Sequence, residues 1–501
     1  MRIHLLFREN LFSLKEKDPW GAEQLIRDLD LEPILDTMGN GDNFIKEVSR
    51  KVLLMGVANI EDIAYRQEAL KDAIGNSETI RIAYQVLNDT IDSAERMWWL
   101  SRSNSSPVST LSYSVKLLKI YITGLERIRD VLLPRKSGFK SRAFTSLINT
   151  LEQYFNKEYT KSLKTALKHL SPHEGMTLRM GLTRSAELWG FKLVKPSQKS
   201  TTGLKRIIDK ISVRKYTWKL PPRDEAGEDE LWNIKNLALE KPAKILNIAY
   251  QHVIEFINSL RTELAFYVGA LNLWDRLKRI GAPTSFPIPR ETGERVLRFK
   301  DLVEVSLALR IGRRPVPNTL DSKQRMIIVV SGPNKGGKTV FLRSIGQAQL
   351  MMMAGMYVAA EHYESSISTG VYTHFETEEK PNLGKGRLEE ELARISEIVD
   401  HLKRGSMLLM NESFSSTNEK EGSEIAREIL CALSDSGVRI IYVTHFYELQ
   451  RWFLENRRYD TIFLKAERKE DGTRTYRIIP GEPEKRGYTE ELYRRIFGEF
   501  S

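Results

Sequence analysis

The stretch Met326-Ile327-Ile328-Val329-Val330-Ser331-Gly332-Pro333-Asn334-Lys335-Gly336-Gly337-Lys338-Thr339 decides the fold of this 501-residue chain. Its apolar opening, rich in β-branched residues, predicts a strand buried on both faces, as in a parallel sheet covered by helices. Glycine-rich residues follow at once, and Val340 to Met353 then reads as a helix. A G-x-x-x-x-G-K-[ST] loop between strand and helix is the setting in which backbone amides cradle phosphates. Glycines let those N–H groups turn inward without a Cβ clash, and the helix N-terminus adds its dipole. Lys338 can reach the β- and γ-phosphates, and the Thr339 hydroxyl can ligate Mg²⁺. Gly332, Pro333, Asn334, Lys335, Gly336, Gly337, Lys338 and Thr339 are therefore the expected binding residues, with a nucleoside triphosphate and Mg²⁺ as the ligands.

Two further strand ends carry matching chemistry. Met407 to Met410 is a buried-strand run ending in Asn411-Glu412. A nucleotide hydrolase needs an oxygen donor for Mg²⁺ there and then a carboxylate to orient water. Glu412 has the second role; Asn411 offers a carbonyl oxygen in place of the expected acid, so a weaker metal site is expected. Val438 to Val443 is a third strand, ending in Thr444-His445. Ligands of open α/β sheets bind at such carboxyl ends, which makes His445 a candidate γ-phosphate sensor.

Upstream the periodicity is helical. Residues 20 to 134 repeat apolar positions at three- and four-residue steps, and Pro134 is the expected stop of a helix from Leu111. Phe144 to Leu170 is expected as one further helix. Residues 176 to 220 are Gly-interrupted and shorter in pattern, with room for a small sheet. Pro221-Pro222 and the acidic residues after them mark a linker, and a long helix is expected over Leu231 to Ile280. From residue 285 strands and helices alternate, which argues for a parallel sheet. The expected organisation is thus a helical region over 1–134, a basic region over 135–230, a returning helix over 231–284, and an α/β P-loop domain over 285–501.

Composition narrows the class. With 41% hydrophobic and 29% charged residues the chain has globular character. The single cysteine, Cys431, excludes a disulfide framework and suits a reducing cytoplasm. No apolar run approaches the roughly 20 residues of a membrane span. The net charge of +11 is uneven: residues 135–219 hold nineteen lysines and arginines against five acids. Such a block is the footprint of a polyanion binder or the solvated face of long helices. His169 and His173 are four apart, but Pro172 lies between them and no third ligand is near, so no further metal site is expected.

Taken together, GPNKGGKT at 332–339, LLMNES at 408–413 with Ser415-Ser416-Thr417, and THFYEL at 444–449 resemble the ATPase domain of the MutS family in order and spacing. Val316-Pro317-Asn318 fits the same family, and Tyr65-Arg66-Gln67-Glu68-Ala69-Leu70 is similar to a segment of its core domain, so the resemblance implies a helical core and lever region over 1–134, a clamp-like region over 135–230, a returning lever helix over 231–284 and an ABC-type ATPase domain over 285–501. The resemblance implies Lys338 and Thr339 on phosphate and Mg²⁺, Glu412 as the water-orienting carboxylate and His445 near the γ-phosphate. It implies sites completed across a homodimer, in which Gly384 and Gly386 of Asn382–Arg387 stand for the family's signature loop. The family's Ser-Thr there is Gly386-Arg387 here, and its adenine-packing aromatic is replaced by Pro315 or Val316. No mismatch-recognising or nuclease domain is expected. A shortened dimer element is expected from Gly487 to Phe497.

The resemblance implies an ATP-gated clamp on duplex, mismatched or branched DNA, in mismatch repair or a related recombination process, with a possible repair partner protein. A nucleotide-gated protein-interaction scaffold with little turnover is the alternative, motivated by Asn411 and the altered signature loop. The ATPase subunit of a transporter is disfavoured, because about 300 residues precede the loop and LSGGQ is absent.

Overall fold

The structure is a computed structural model that describes residues 4–9, 12–99, 106–170, 177–182, 188–194, 224–376, 386–456, 459–469 and 473–483. Gly384, residues 171–176, 183–187 and 195–219 of the basic block and the segment Gly487–Phe497 lie outside these residues. A helical region is followed by an α/β sheet region. In chain order the helical region holds α1 (Ala22–Asp28), α2 (Glu32–Gly39), α3 (Asn43–Met55), α4 (Ile60–Gly75), α5 (Ser77–Trp99), α6 (Pro107–Leu132), α7 (Arg142–Tyr154) and α8 (Lys157–His169). An antiparallel pair, β1 (Thr177–Leu182) and β2 (Leu188–Val194), and the long α9 (Glu225–Ile280) complete it. The segment expected as one helix over Phe144–Leu170 is two. Asn156 breaks it by taking extended backbone and accepting a hydrogen bond from Tyr159 N at 2.8 Å, which caps α8.

Compact packing divides the chain into two units, drawn differently from the four segments read from composition. One comprises Glu78–Phe139 and Phe144–Arg261; the other comprises His4–Ser77, Lys140–Ala143 and the chain from Thr262 onward. Within the first, Gly124 of α6 lies so close to Thr90 of α5 that a Cβ would overlap the threonine side chain. Leu111 there packs with Leu239 and Ala243 of α9.

The second unit carries two sheets. Their strands are β3 (Ile288–Arg290), β4 (Leu297–Leu302), β5 (Asn318–Asp321), β6 (Ile327–Ser331), β7 (His362–Ser366), β8 (Val371–Phe375), β9 (Met407–Asn411), β10 (Arg439–Val443), β11 (Thr461–Arg468) and β12 (Arg474–Pro480). The larger sheet runs β12-β11-β6-β10-β9-β8 and is parallel except for the β12 edge; the smaller runs β3-β7-β4-β5. The helices of this unit's sheet region are α10 (Val305–Ile311), α11 (Lys338–Met353), α12 (Arg387–His401), α13 (Glu419–Asp435) and α14 (Tyr447–Glu455).

The apolar strand runs are buried on both faces, as their sequences require. Ile327, Val329, Leu408, Met410, Ile440 and Tyr442 pack against Ile395, Ile398, Leu430, Leu433 and Phe453 of α12, α13 and α14. Helix α11 is buried nearly throughout. Its Gly346 admits Leu29 on one side and Leu409 on the other, and Gln347 donates to Leu29 O at 2.9 Å, fixing the helix between the sheet and the N-terminal helices of the same unit.

The N-terminal residues of this unit are seated through their main chain. Glu263 of α9 accepts from the amides of Leu5 and Leu6, while Tyr267 donates to Leu5 O at 2.5 Å and Tyr65 to His4 O at 2.5 Å. Arg66, wholly buried, donates to Leu6 O at 2.6 Å and lies over the Phe7 ring at 4.4 Å. Burial pushes the Glu263 carboxyl up to about 7, against the pull of the two amides and of Arg66. Among the described residues no helix is long and apolar enough to cross a membrane.

Candidate functional site

Strands β6, β10 and β9 are neighbours and parallel, so their carboxyl ends open on one edge. The loop after β6 needs glycine. At Gly332 φ is 130° and a Cβ would fall 2.8 Å from that of Ala466; at Gly337 φ is 94°, where an L side chain is strained. Gly337 begins α11 with no side-chain cap, which leaves the first amides of that helix facing outward, the arrangement that binds anions.

Lys338, buried in the first turn of α11, curls over the loop: Nζ donates to Gly332 O at 2.7 Å and Pro333 O at 3.2 Å. It lies 3.7 Å from Glu412 Oε1. Burial lowers its pKa from the ordinary lysine value, and the Glu412 charge opposes that shift. Thr339 Oγ1 donates to Asn411 Oδ1 at 3.1 Å, joining α11 to the end of β9.

Glu412 follows at φ 54° and is fixed by its amide donating to Val443 O at 2.9 Å. Its Oε1 is 3.0 Å from His445 Nε2, which is itself 2.8 Å from Asn334 Oδ1 and 3.4 Å from Lys338 Nζ. The three strand ends thus deliver one ammonium, one carboxylate and one imidazole to a common point. Beyond it opens a cavity of about 290 Å³ whose lining includes Glu412, Ser413, Ser415, Thr417 and His445.

Of the residues predicted from sequence, Gly332 to Thr339, Asn411, Glu412 and His445 come together here. Gly386 begins α12 with no side-chain cap and open space around it. Gly384 is outside the described residues. The residues present suit the predicted ligands. Glycine amides and a buried ammonium make a phosphate cradle, and two paired side-chain oxygens of Thr339 and Asn411 are the hard donors that Mg²⁺ prefers.

Sequence reasoning missed Tyr476. It sits on β12 at φ 61° with its backbone 3.3 Å from where a Gly337 Cβ would stand, and its side chain is half exposed. Nothing in the local pattern of the C-terminal hairpin signals this. It also missed His374 and Ser413, discussed below.

Comparison with known proteins agrees with the geometry. A family model described as MutS2 N-terminal domain matches residues 58–280, and one described as MutS domain V matches residues 328–489. The chain belongs to the MutS family. Among MutS relatives, Endonuclease MutS2 of Carboxydothermus hydrogenoformans is 28% identical over 207 residues, covering 41% of this chain and 26% of the relative. DNA mismatch repair protein MutS of Thermus thermophilus is 26% identical over 280 residues, 54% of this chain and 32% of the relative. Endonuclease MutS2 of Brevibacillus brevis is 32% identical over 158 residues, 31% of this chain and 20% of the relative. The chain therefore matches a third or less of the length of each of these MutS relatives.

Proposed function

We propose that this chain is a MutS-type DNA-binding ATPase of the P-loop, ABC-like class, which hydrolyses ATP with Mg²⁺ and uses the cycle to gate a clamp on DNA. The observation that carries this reading is the meeting of Lys338, the Thr339–Asn411 pair, Glu412 and His445 at one edge of a parallel sheet. Family membership and the names of the relatives, a mismatch repair protein and endonucleases, point the reading toward DNA mismatch repair or a related recombination process.

The residues divide the work. Amides of the Gly332–Gly337 loop and Lys338 hold the phosphates, Lys338 exchanging its two carbonyl partners for phosphate oxygens. Thr339 and Asn411 would hold Mg²⁺, which would supply positive charge to offset that of the phosphates. Glu412 orients the attacking water, and His445, held between Glu412 and Asn334, faces the γ-phosphate. Tyr476, beside Gly337, offers the aromatic surface for an adenine that Pro315 and Val316 do not. A second copy of the chain would bring the uncapped start of its α12, with Gly384 and Gly386, to the γ-phosphate, in a homodimer that closes on duplex, mismatched or branched DNA.

Steady-state hydrolysis by the purified chain, with and without homoduplex, mismatched and branched DNA, tests this. The expected result is Mg²⁺-dependent turnover altered by one of the DNA forms, and about 10²-fold lost in Lys338→Ala. Hydrolysis that survives Lys338→Ala would remove the site assignment. Asn411 in the metal position favours a second reading, a nucleotide-gated scaffold with little turnover. ATP binding without hydrolysis, indifferent to every DNA, would select it.

A further inference from the structure

Glu412 and Phe414 both have left-handed backbones, at φ 54° and 64°. Such backbones are strained for residues with a side chain and persist where their surroundings fix them. Ser413 lies between them and is the anchor. Its carbonyl accepts from Tyr442 OH at 2.6 Å, and its hydroxyl is 2.7 Å from Nδ1 of His374.

His374, on β8, is fully buried and stacked on Phe414 at 5.7 Å. Its other nitrogen, Nε2, is 3.3 Å from the carbonyl of Glu391 in the second turn of α12. Burial drives the imidazole down to about 3, so it is neutral and carries one proton. The ring's proton lies on Nε2, facing Glu391 O, when Ser413 donates to Nδ1, and on Nδ1, donating to the Ser413 hydroxyl, when that hydroxyl donates to the main-chain carbonyl of His374 at 2.9 Å. In either arrangement the ring stands between a helix and the catalytic turn. Glu391 itself is buried by the same packing, its carboxyl raised by burial and drawn back by the Phe414 amide.

We infer that His374 is a positioning residue for Glu412, which ties the first turns of α12 to the turn that carries this carboxylate. The inference rests on the ATPase reading above. No atom of His374 faces the cavity at the sheet edge; it acts through Ser413, the residue next to Glu412. A shift of α12 along its axis would move Glu391 O, the ring and the Ser413 hydroxyl together. Glu412 would swing away from His445 while the phosphate loop stayed in place.

The test compares Ser413→Ala, His374→Ala, His374→Gln and the Ser413→Ala/His374→Ala pair in the full chain, measuring kcat, KM, equilibrium affinity for ATP and thermal unfolding. Both single alanine variants are expected to lose about 10- to 100-fold in kcat, because a misplacement of about 1 Å at the reacting groups has that effect. KM and ATP affinity should stay at the wild-type values. The pair should be no worse than Ser413→Ala alone, which removes both the ring contact and the bond to the His374 main-chain carbonyl, whereas His374→Ala removes the ring contact. His374→Gln, which keeps a donor for Glu391 O, should recover part of the loss. Ser413→Ala removes one oxygen and keeps the inference testable if His374→Ala fails to fold. A Ser413→Ala chain with wild-type kcat, in a protein that hydrolyses ATP and loses that activity in Lys338→Ala, would overturn this inference alone. A wild-type chain without turnover would overturn the ATPase reading beneath it.

Discussion

Asn411 and Thr339 satisfy each other through one hydrogen bond of 3.1 Å, so the proposed metal position offers two neutral oxygens. A carboxylate there would add a full charge beside the ion, worth a few kcal/mol in a partly buried site before desolvation is counted. Asn411→Asp should therefore lower the Mg²⁺ concentration for half-maximal ATPase by roughly tenfold. A magnesium titration that does not move would place Asn411 away from the ion. At this scale the sequence was informative wherever a side chain's place follows from its strand end: Lys338, Glu412 and His445 stand within a few residues of apolar runs that predict buried strands, and their side chains meet. His374 and Ser413 were not legible, because their contact joins residues 39 apart through two strands and depends on both being buried. Tyr476 was hidden for a similar reason, since its proximity to Gly337 arises from the β11–β12 hairpin folding back on the loop.

Among the elements, α9 contributes an ionisable group where apolar contact would be expected. Glu263 is buried and its folded pKa, about 7, stands above the ordinary 4.5. Between those two values the folded chain holds a proton that the unfolded chain has released. Stability is thus highest below about 4.5, falls as pH rises toward 7 and is flat above it. Glu263→Gln should remove that slope, leaving the pH dependence of unfolding shallower by a few kcal/mol at most across this window. Urea denaturation at a series of pH values reads the difference; parallel curves for the two proteins would contradict the assignment. The helix–strand sequence of this half was largely readable from periodicity, including the long helix that becomes α9. The α7–α8 break was not, because an apolar 3.6-residue pattern continues through it and only the Asn156 cap stops the helix. Nor does alternation of strands and helices announce that they divide into two sheets.

For the whole molecule, the charge distribution makes a quantitative demand. If the net +14 of residues 135–219 engages DNA phosphates, each contact releases counterions, and affinity should fall steeply with salt. The effect of DNA on ATPase rate should then be lost between about 50 and about 200 mM monovalent salt, while ATPase without DNA changes little. A DNA response that is flat across that range would assign the basic block to solvated helix faces. The helical region followed by an α/β sheet region was legible in outline, since the switch from a 3.6-residue to a two-residue rhythm falls near Pro283. The compact units were not. Residues 4–77 precede the basic block by a long stretch of chain yet pack with the sheets, because Leu29, Leu31 and Leu35 are buried there and a linear reading does not tell which surface will cover them.

The seating of the N-terminal strap has a consequence for how this protein can change over time. Glu263, Arg66, Tyr65 and Tyr267 all grip amides and carbonyls, groups that every residue except proline supplies in full. Mutation can therefore rewrite the side chains of residues 4–6 with little loss of grip, provided positions 5 and 6 stay apolar. The heritable information for the strap is stored in the residues that hold it. An ancestor and a descendant could share this clasp with no letter in common at the strap itself, and only the four gripping positions would keep the record.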